Sequence, residues 1–223
     1  MISLVNHETI MRELLIAALL AGYVLLVVYG TKPIYNYLRS RGFPHNVAIY
    51  YNRKIIHVAA GGIVAVLVPY LFQSPIVPFL MALSLGAFLY YWHWKGKLLD
   101  WFQTRENMFE VNFTIAWGIS LLLLWLLTGD PKIAVVPSMF IAFGDAITGV
   151  IRNAVFAKRT KHWYGNLGML VIVVPLGYIY AGEIGALAGI IASIIERYEF
   201  PPIDDNILIA LTSTGILLIG TYI

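Results

Sequence analysis

The chain has 223 residues, of which 60% are hydrophobic and 12% charged, and its mean hydropathy is +0.78. Soluble domains carry about 25% charged residues, so this composition excludes a soluble protein and indicates one integral membrane domain, 1–223, with room for roughly eight spans of about 20 residues. The absence of cysteine excludes disulfides, thiolate metal ligands and a cysteine nucleophile, and the formal charge of +3 is informative only through its distribution, which points to no nucleic acid.

Met1 to Ile10 lacks a basic n-region and reads as carrying no cleavable signal. The run from Ile10 to Gly30 has almost no polar face and is predicted to be a first, largely lipid-facing helix. Ile34 to Asn52 is basic and aromatic, which suits a segment at the headgroup level. A second span opens at Arg53 and runs to about Phe72; a third covers about Ile76 to Trp92. After a polar stretch from Lys95 to Glu110, a fourth covers about Val111 to Thr128 and a fifth Ile133 to Phe156. A basic loop, Lys158 to Asn166, precedes a sixth span (Leu167 to Ala181), a short seventh (Glu183 to Glu196) and an eighth from about Ile207 onward.

The expected fold is therefore an all-α polytopic membrane helix bundle of about eight transmembrane helices, or seven. Loops after spans one, three, five and seven hold thirteen of the 15 Lys and Arg residues; the opposite side has only Arg12 and Lys132. Cytoplasmic loops carry the excess of Lys and Arg, so those four loops are expected in the cytoplasm and both termini outside.

Asp145 is the anomaly. It lies inside the fifth apolar run, where an ionised side chain costs at least ~2.5–3.5 kcal/mol and marks a functional site by default. Asp145, Thr148, Gly149 and Arg152 follow i, i+3, i+4, i+7 spacing and share one face. A structural ion pair with a basic residue is the plain explanation; a hard-cation ligand is favoured, because Gly144 and Gly149 clear space beside the acid. Arg53 and Lys54 open span two and would serve as ordinary charge anchors. His57, four residues beyond Arg53 and on the same face as Gly61, is placed to orient a phosphate or accept a proton from a substrate hydroxyl.

The loop Lys158-Arg159-Thr160-Lys161-His162-Trp163-Tyr164-Gly165-Asn166 combines cations and glycine in a composition able to wrap a polyphosphate, or to bind lipid headgroups. The seventh span, about 14 residues, covers only about 21 Å, too short for a hydrocarbon core of about 30 Å, so Glu196 is expected near the interface. Asp204-Asp205-Asn206 supplies an N-cap for the last helix and two adjacent acids. With Asp145 and Glu196 they form a carboxylate set able to hold Mg²⁺ on a nucleotide's phosphates. Neither a Walker A run nor a GxGxxG occurs.

In order and spacing, Arg-Lys-x-x-His-x-x-x-Gly at 53–61, Gly-Asp-Ala with a glycine four after the Asp, Lys-x-x-x-Gly at 161–165, and Glu196 followed by Asp-Asp-Asn at 204–206 resemble the polyprenol kinase family, which includes dolichol and phytol kinases. The resemblance covers Arg53 to the C-terminus. It implies a CTP-preferring, Mg²⁺-dependent kinase acting on the terminal hydroxyl of an isoprenoid alcohol, with membrane lipids around it and the oligomeric state left open. On that basis Asp145 and Asp205 are expected as Mg²⁺ ligands with Glu196 as a direct or neighbouring partner. Arg53, Lys54, Arg152 and Lys161 would hold phosphates, with Gly149 and Gly165 beside them, Asn206 would bind nucleotide or orient a ligand, and His57 would sit near the acceptor hydroxyl. Family members usually carry Lys-Ser or Lys-Thr and an acidic-Gly-Ser ending in the basic loop; this chain has Lys161-His162 and Tyr164-Gly165-Asn166, and Ala210 stands where a proline is common. The competing expectations are a CTP-dependent cytidylyltransferase, for which no paired Asp motif after His-Gly-Gly is present, and a small ion-coupled transporter, against which all polar motifs gather on one side.

Overall fold

The computed structural model describes residues 7–156, 160–200 and 203–222. Regular structure among them is helical, apart from one isolated bridge between Phe200 and Ile203. In chain order the helices are α1 His7–Gly30, α2 Lys32–Ser40, α3 His45–Ile56, α4 Ile63–Leu71, α5 Ile76–Trp94, α6 Phe109–Thr128, α7 Pro131–Ala134, α8 Val136–Met139, α9 Asp145–Phe156, α10 Trp163–Ile195 and α11 Asp205–Tyr222. Two π-helical turns interrupt the order: His57–Gly62 joins α3 to α4, and Phe140–Gly144 joins α8 to α9.

Among the described residues, seven helical segments are long and apolar enough to cross a membrane: His7–Ser40, His45–Leu71, Ile76–Trp94, Phe109–Thr128, Pro131–Phe156, Trp163–Ile195 and Asp205–Tyr222. The difference from eight lies in α10, which is a hairpin. Ala181 (φ −142°) and Gly182 (φ 62°) leave helical geometry and reverse the chain. A Cβ on Gly189 would lie 2.8 Å from the Val173 carbonyl oxygen, and one on Gly177 would strike the Gly185 backbone. The two legs are therefore antiparallel and touch backbone to backbone, the close approach that small residues permit. Only a glycine adopts the φ of residue 182 without strain.

The segment Pro131–Phe156 is the centre of the bundle, with 78% of its most apolar stretch buried against at most 50% elsewhere. It begins with a tight turn after α6, where Gly129 (φ 72°) ends one helix and Asp130 caps the next by accepting the Lys132 N–H at 2.7 Å. It is not the single uninterrupted helix expected from hydropathy. The π-helical turn at 140–144 sits against the one at 57–62, where a Cβ on Gly62 would lie 2.7 Å from the Phe143 ring. Such turns are rare and gather at functional sites, and Asp145 is the first residue after one of them.

Around this centre stand α3–α4, α6, α10 and α11, with α1 and α5 at the periphery. As expected, α1 is largely exposed, with 22% of its most apolar stretch buried, but one stripe of it packs inward. Leu20, Val24 and Val28 are buried, and the fully buried Glu13 accepts the Gln73 backbone N–H at 2.6 Å.

Candidate functional site

The acids singled out in the sequence converge. Asp145, Glu196 and Asp205 each present a carboxylate oxygen within 4.8 Å of the others, and all three are buried. They come from the start of α9, the end of α10 and the start of α11. On one octahedral Mg²⁺ with ligands at about 2.1 Å, opposite oxygens stand about 4.2 Å apart and neighbouring ones about 3.0 Å, so the oxygen-only donor set suits a hard divalent cation in type and would draw closer together to hold it.

Each acid is interlocked with a cation. Lys54 Nζ donates to Asp145 Oδ2 at 2.5 Å, and both side chains are about 95% shielded from solvent. Gly149 makes this reach feasible: a Cβ there would lie 2.6 Å from Lys54 Cε and from the Tyr50 hydroxyl. Arg152 grips Glu196 with two bonds of 2.7 Å and also donates to Asn166 Oδ1 (2.8 Å) and the His162 carbonyl (2.9 Å). Lys161 donates to Asp205 Oδ2 (2.6 Å) and the Glu196 carbonyl (2.8 Å), and lies 3.1 Å from Glu199. Thr148 donates to the Asp145 carbonyl at 2.8 Å and lies 3.3 Å from Glu196 Oε1. The face Asp145–Thr148–Gly149–Arg152 thus points into the cluster, all four residues being buried.

Outside the spans, burial is the largest influence on the titrating groups. It pushes the Glu196 carboxyl above the usual carboxylate range, helped by the Asp205 charge and opposed by Arg152 and Lys161. It pushes Asp204 up to about 6, again helped by Asp205. For Lys161 burial acts downward, but the carboxylates of Asp205, Glu196 and Glu199 outweigh it and hold the ammonium above its ordinary range.

Gly165 donates its N–H to the His162 carbonyl at 3.2 Å, and its missing side chain makes room for the Arg152 guanidinium. Asp204 caps α11 by accepting the Ile207 N–H at 3.1 Å and takes a further bond from Asn112. Asn206 is buried next to it, with Oδ1 unpartnered. Lys158 and Arg159 lie outside the described residues.

His57 is placed elsewhere. Together with Arg53 and Gly61 it lines a second feature, a largely apolar cavity of about 470 Å³ between α1, the α3–α4 segment, α5 and α6. His57 donates from Nδ1 to the Arg53 carbonyl at 3.0 Å and packs edge-on to Phe113, with ring centroids 4.1 Å apart. In the neutral ring that bond leaves Nε2 as an acceptor, and Nε2 is buried without a partner. Arg53 belongs to both features, lining the cavity and also the small polar pocket formed with Tyr50, Lys54, Asp145, Lys161 and Asp205. Its guanidinium stacks over Phe109 at 4.5 Å, and the next residue, Glu110, faces the cavity while accepting from Gln103 at 2.7 Å.

Tyr50, Asn166 and Glu110 also line or brace these features without having stood out in the sequence: Asn166 and Tyr50 read as a loop residue and an interfacial aromatic, and Glu110 as the end of the polar stretch before the fourth span, whereas it lies in the first turn of α6. Lys54, expected among the anchors and phosphate holders, is the ion-pair partner of Asp145. Compared with family models, curated proteins and solved structures, the chain matches none.

Proposed function

We propose that the chain is a membrane kinase transferring the γ-phosphate of a nucleoside triphosphate, CTP by the motif resemblance, to the terminal hydroxyl of an isoprenoid alcohol at the cytoplasmic face. The observation that carries this reading is the junction at Arg53. On one side of that residue lies a buried set of three carboxylates and three interleaved cations; on the other lies an apolar cavity. A nucleotide cannot enter the bilayer and a prenol cannot readily leave it, so an enzyme joining them needs a polar pocket and an apolar one meeting at a shared wall. The concentration of Lys and Arg on the side of the chain that holds Arg53, Lys54, Arg152 and Lys161 supports a cytoplasmic orientation.

Asp145 and Asp205 would hold Mg²⁺, with Glu196 fixed beside them by Arg152. The metal would neutralise charge on the transferring phosphoryl group, the main requirement of this chemistry. In the ligand-free protein Lys54 and Lys161 balance those acids. Once the acids are engaged, both ammonium groups are free to turn to the phosphates, with Arg53 beside them. The alcohol oxygen forms a bond to the γ-phosphorus as the bond to the bridging oxygen breaks, and the hydroxyl proton ends on the released diphosphate or on water. His57 Nε2, an acceptor without a partner, suits a role in orienting that hydroxyl.

The test is a label-transfer assay with purified protein and Mg²⁺, run with geranylgeraniol and, in parallel, with phosphatidic acid. Label from γ-labelled CTP in the alcohol is expected. Label from α-labelled CTP in a lipid acceptor would assign a cytidylyltransferase, and no transfer from either would remove both enzyme readings.

A further inference from the structure

The cavity has an orientation and a length. Its polar end is formed by Arg53, His57 and Glu110. Along α6 the lining residues Glu110, Phe113, Thr114 and Trp117 follow one helical face, and Trp117 reaches back to close the far end by donating Nε1–H to the Gly61 carbonyl at 3.2 Å. Ala21 of α1 and Met81 of α5 complete that end. From Arg53 to Val64, both in the lining, eleven residues at an α-helical rise of about 1.5 Å span at most about 16 Å, the π-helical turn at 57–62 advancing less per residue. Carbon–carbon bonds of about 1.5 Å advance a zigzag chain by ~1.3 Å per atom, so the shaft accommodates about a dozen chain carbons, or about three isoprene units. Its side toward α1 and α5 is not sealed: Leu25, Tyr29 and Phe88 line the cavity and are 44%, 50% and 39% exposed. In a membrane that exposed rim faces lipid.

We propose that this cavity holds the hydroxyl-proximal three isoprene units of the acceptor alcohol, which slips in sideways from the bilayer between α1 and α5, and that Ala21, Met81 and Trp117 set how much chain is gripped. This rests on the kinase reading of the Arg53 junction and names the substrate segment recognised there. Affinity rises with each isoprene unit up to three and then levels off, because the remainder of a longer chain leaves through the rim into lipid. The protein therefore selects the head of the alcohol and is indifferent to its total length.

The experiment uses the full chain in phosphatidylcholine nanodiscs with a four-unit isoprenoid alcohol carrying a diazirine on its third unit. Irradiation is expected to label residues around Ala21, Met81 and Trp117. Unlabelled geranylgeraniol competes for that labelling; the same hydrocarbon without its hydroxyl does not. Ala21→Trp and Met81→Trp, both at half-buried positions that tolerate bulk, each reduce labelling at least tenfold. In the label-transfer assay they raise KM for geranylgeraniol at least tenfold, and an unfolding temperature in detergent within a few degrees of the parent reports a folded protein. Labelling confined to lipid-facing residues such as Leu26 and Ile179, equal competition by the hydroxyl-free hydrocarbon, or undiminished labelling in both variants overturns the proposal. Specific labelling without any phosphate transfer removes the kinase reading and leaves the cavity as an alcohol site. Phosphate transfer at unchanged KM in both tryptophan variants does the reverse.

Discussion

The two halves of the site are built on opposite terms. In the acid–cation cluster Asp145 is taken by Lys54, Glu196 by Arg152, and Asp205 by Lys161, and the space left among them is about 10 Å³. In the cavity next door, about 470 Å³ stands open and His57 Nε2 has no partner. One half is open and apolar; the other satisfies itself, and under the proposed function it would exchange internal partners for external ones. Buried charges are costly unless paired, so the cluster has to carry its own counter-charges whenever its ligand is absent. An apolar cavity facing lipid incurs no such cost.

The strongest way to break this contrast is to unbalance the cluster. Asp145→Asn should lower phosphate transfer by about three orders of magnitude. It should also destabilise the protein by about 3–5 kcal/mol, because Lys54 is left buried and uncompensated. Adding Lys54→Met should recover most of the stability and none of the activity, read by thermal unfolding in detergent beside γ-label transfer. Recovered activity would mean that the pair is structural only. Arg152→Lys should cost about 2–3 kcal/mol, since a lysine cannot keep two bonds to Glu196 together with those to Asn166 and the His162 carbonyl.

A subtler test uses pH. Asp204 has its carboxyl raised to about 6 from 3.8, so the folded chain holds this proton more tightly than the unfolded chain. The stability gained by the protonated form is complete below about pH 4 and is lost as pH rises through about 6, on the order of 3 kcal/mol. Asp204→Asn, which keeps a capping side chain, should flatten that decline in a series of melting curves. The smallest effect is expected at Gly149→Ala. The added methyl meets the flexible end of Lys54 and the Tyr50 hydroxyl, and a shift of the lysine limits the cost to about 1 kcal/mol. The effect should appear mainly as a raised KM for nucleotide, while the same change at Gly22, with nothing within 4 Å, should be silent.

Much of the helical layout was legible because hydropathy reports lipid contact directly. The short Glu183–Glu196 leg was legible from its length, and the convergence of Asp145 with Glu196 and Asp205 from the cost of an acid in an apolar run. The partner of Asp145 was not. A lysine that anchors a helix at the interface and one that bends inward to an acid have the same sequence signature, and Gly149, which reads as clearing space beside the acid, does not say that Lys54 fills that space. The π-helical turns were invisible for a related reason. One extra residue in a turn changes which side chains align without changing composition, although Gly61-Gly62 and Gly144 mark where the chain makes room for Phe113, Phe143 and Met169. The lining role of α1 was hidden because a residue facing an apolar cavity and one facing lipid are chemically alike.

The α10 hairpin has a consequence for how the protein is made. Its second leg, residues 183–195, is about 20 Å long at ~1.5 Å per residue and would be a poor independent span, while its glycines interlock with the first leg at Gly177 and Val173. In a membrane the two legs are expected to insert together, as one unit. Glu196 and the Lys161 loop sit at the two ends of that unit, so the charge cluster is expected to be complete only once α11 supplies Asp205.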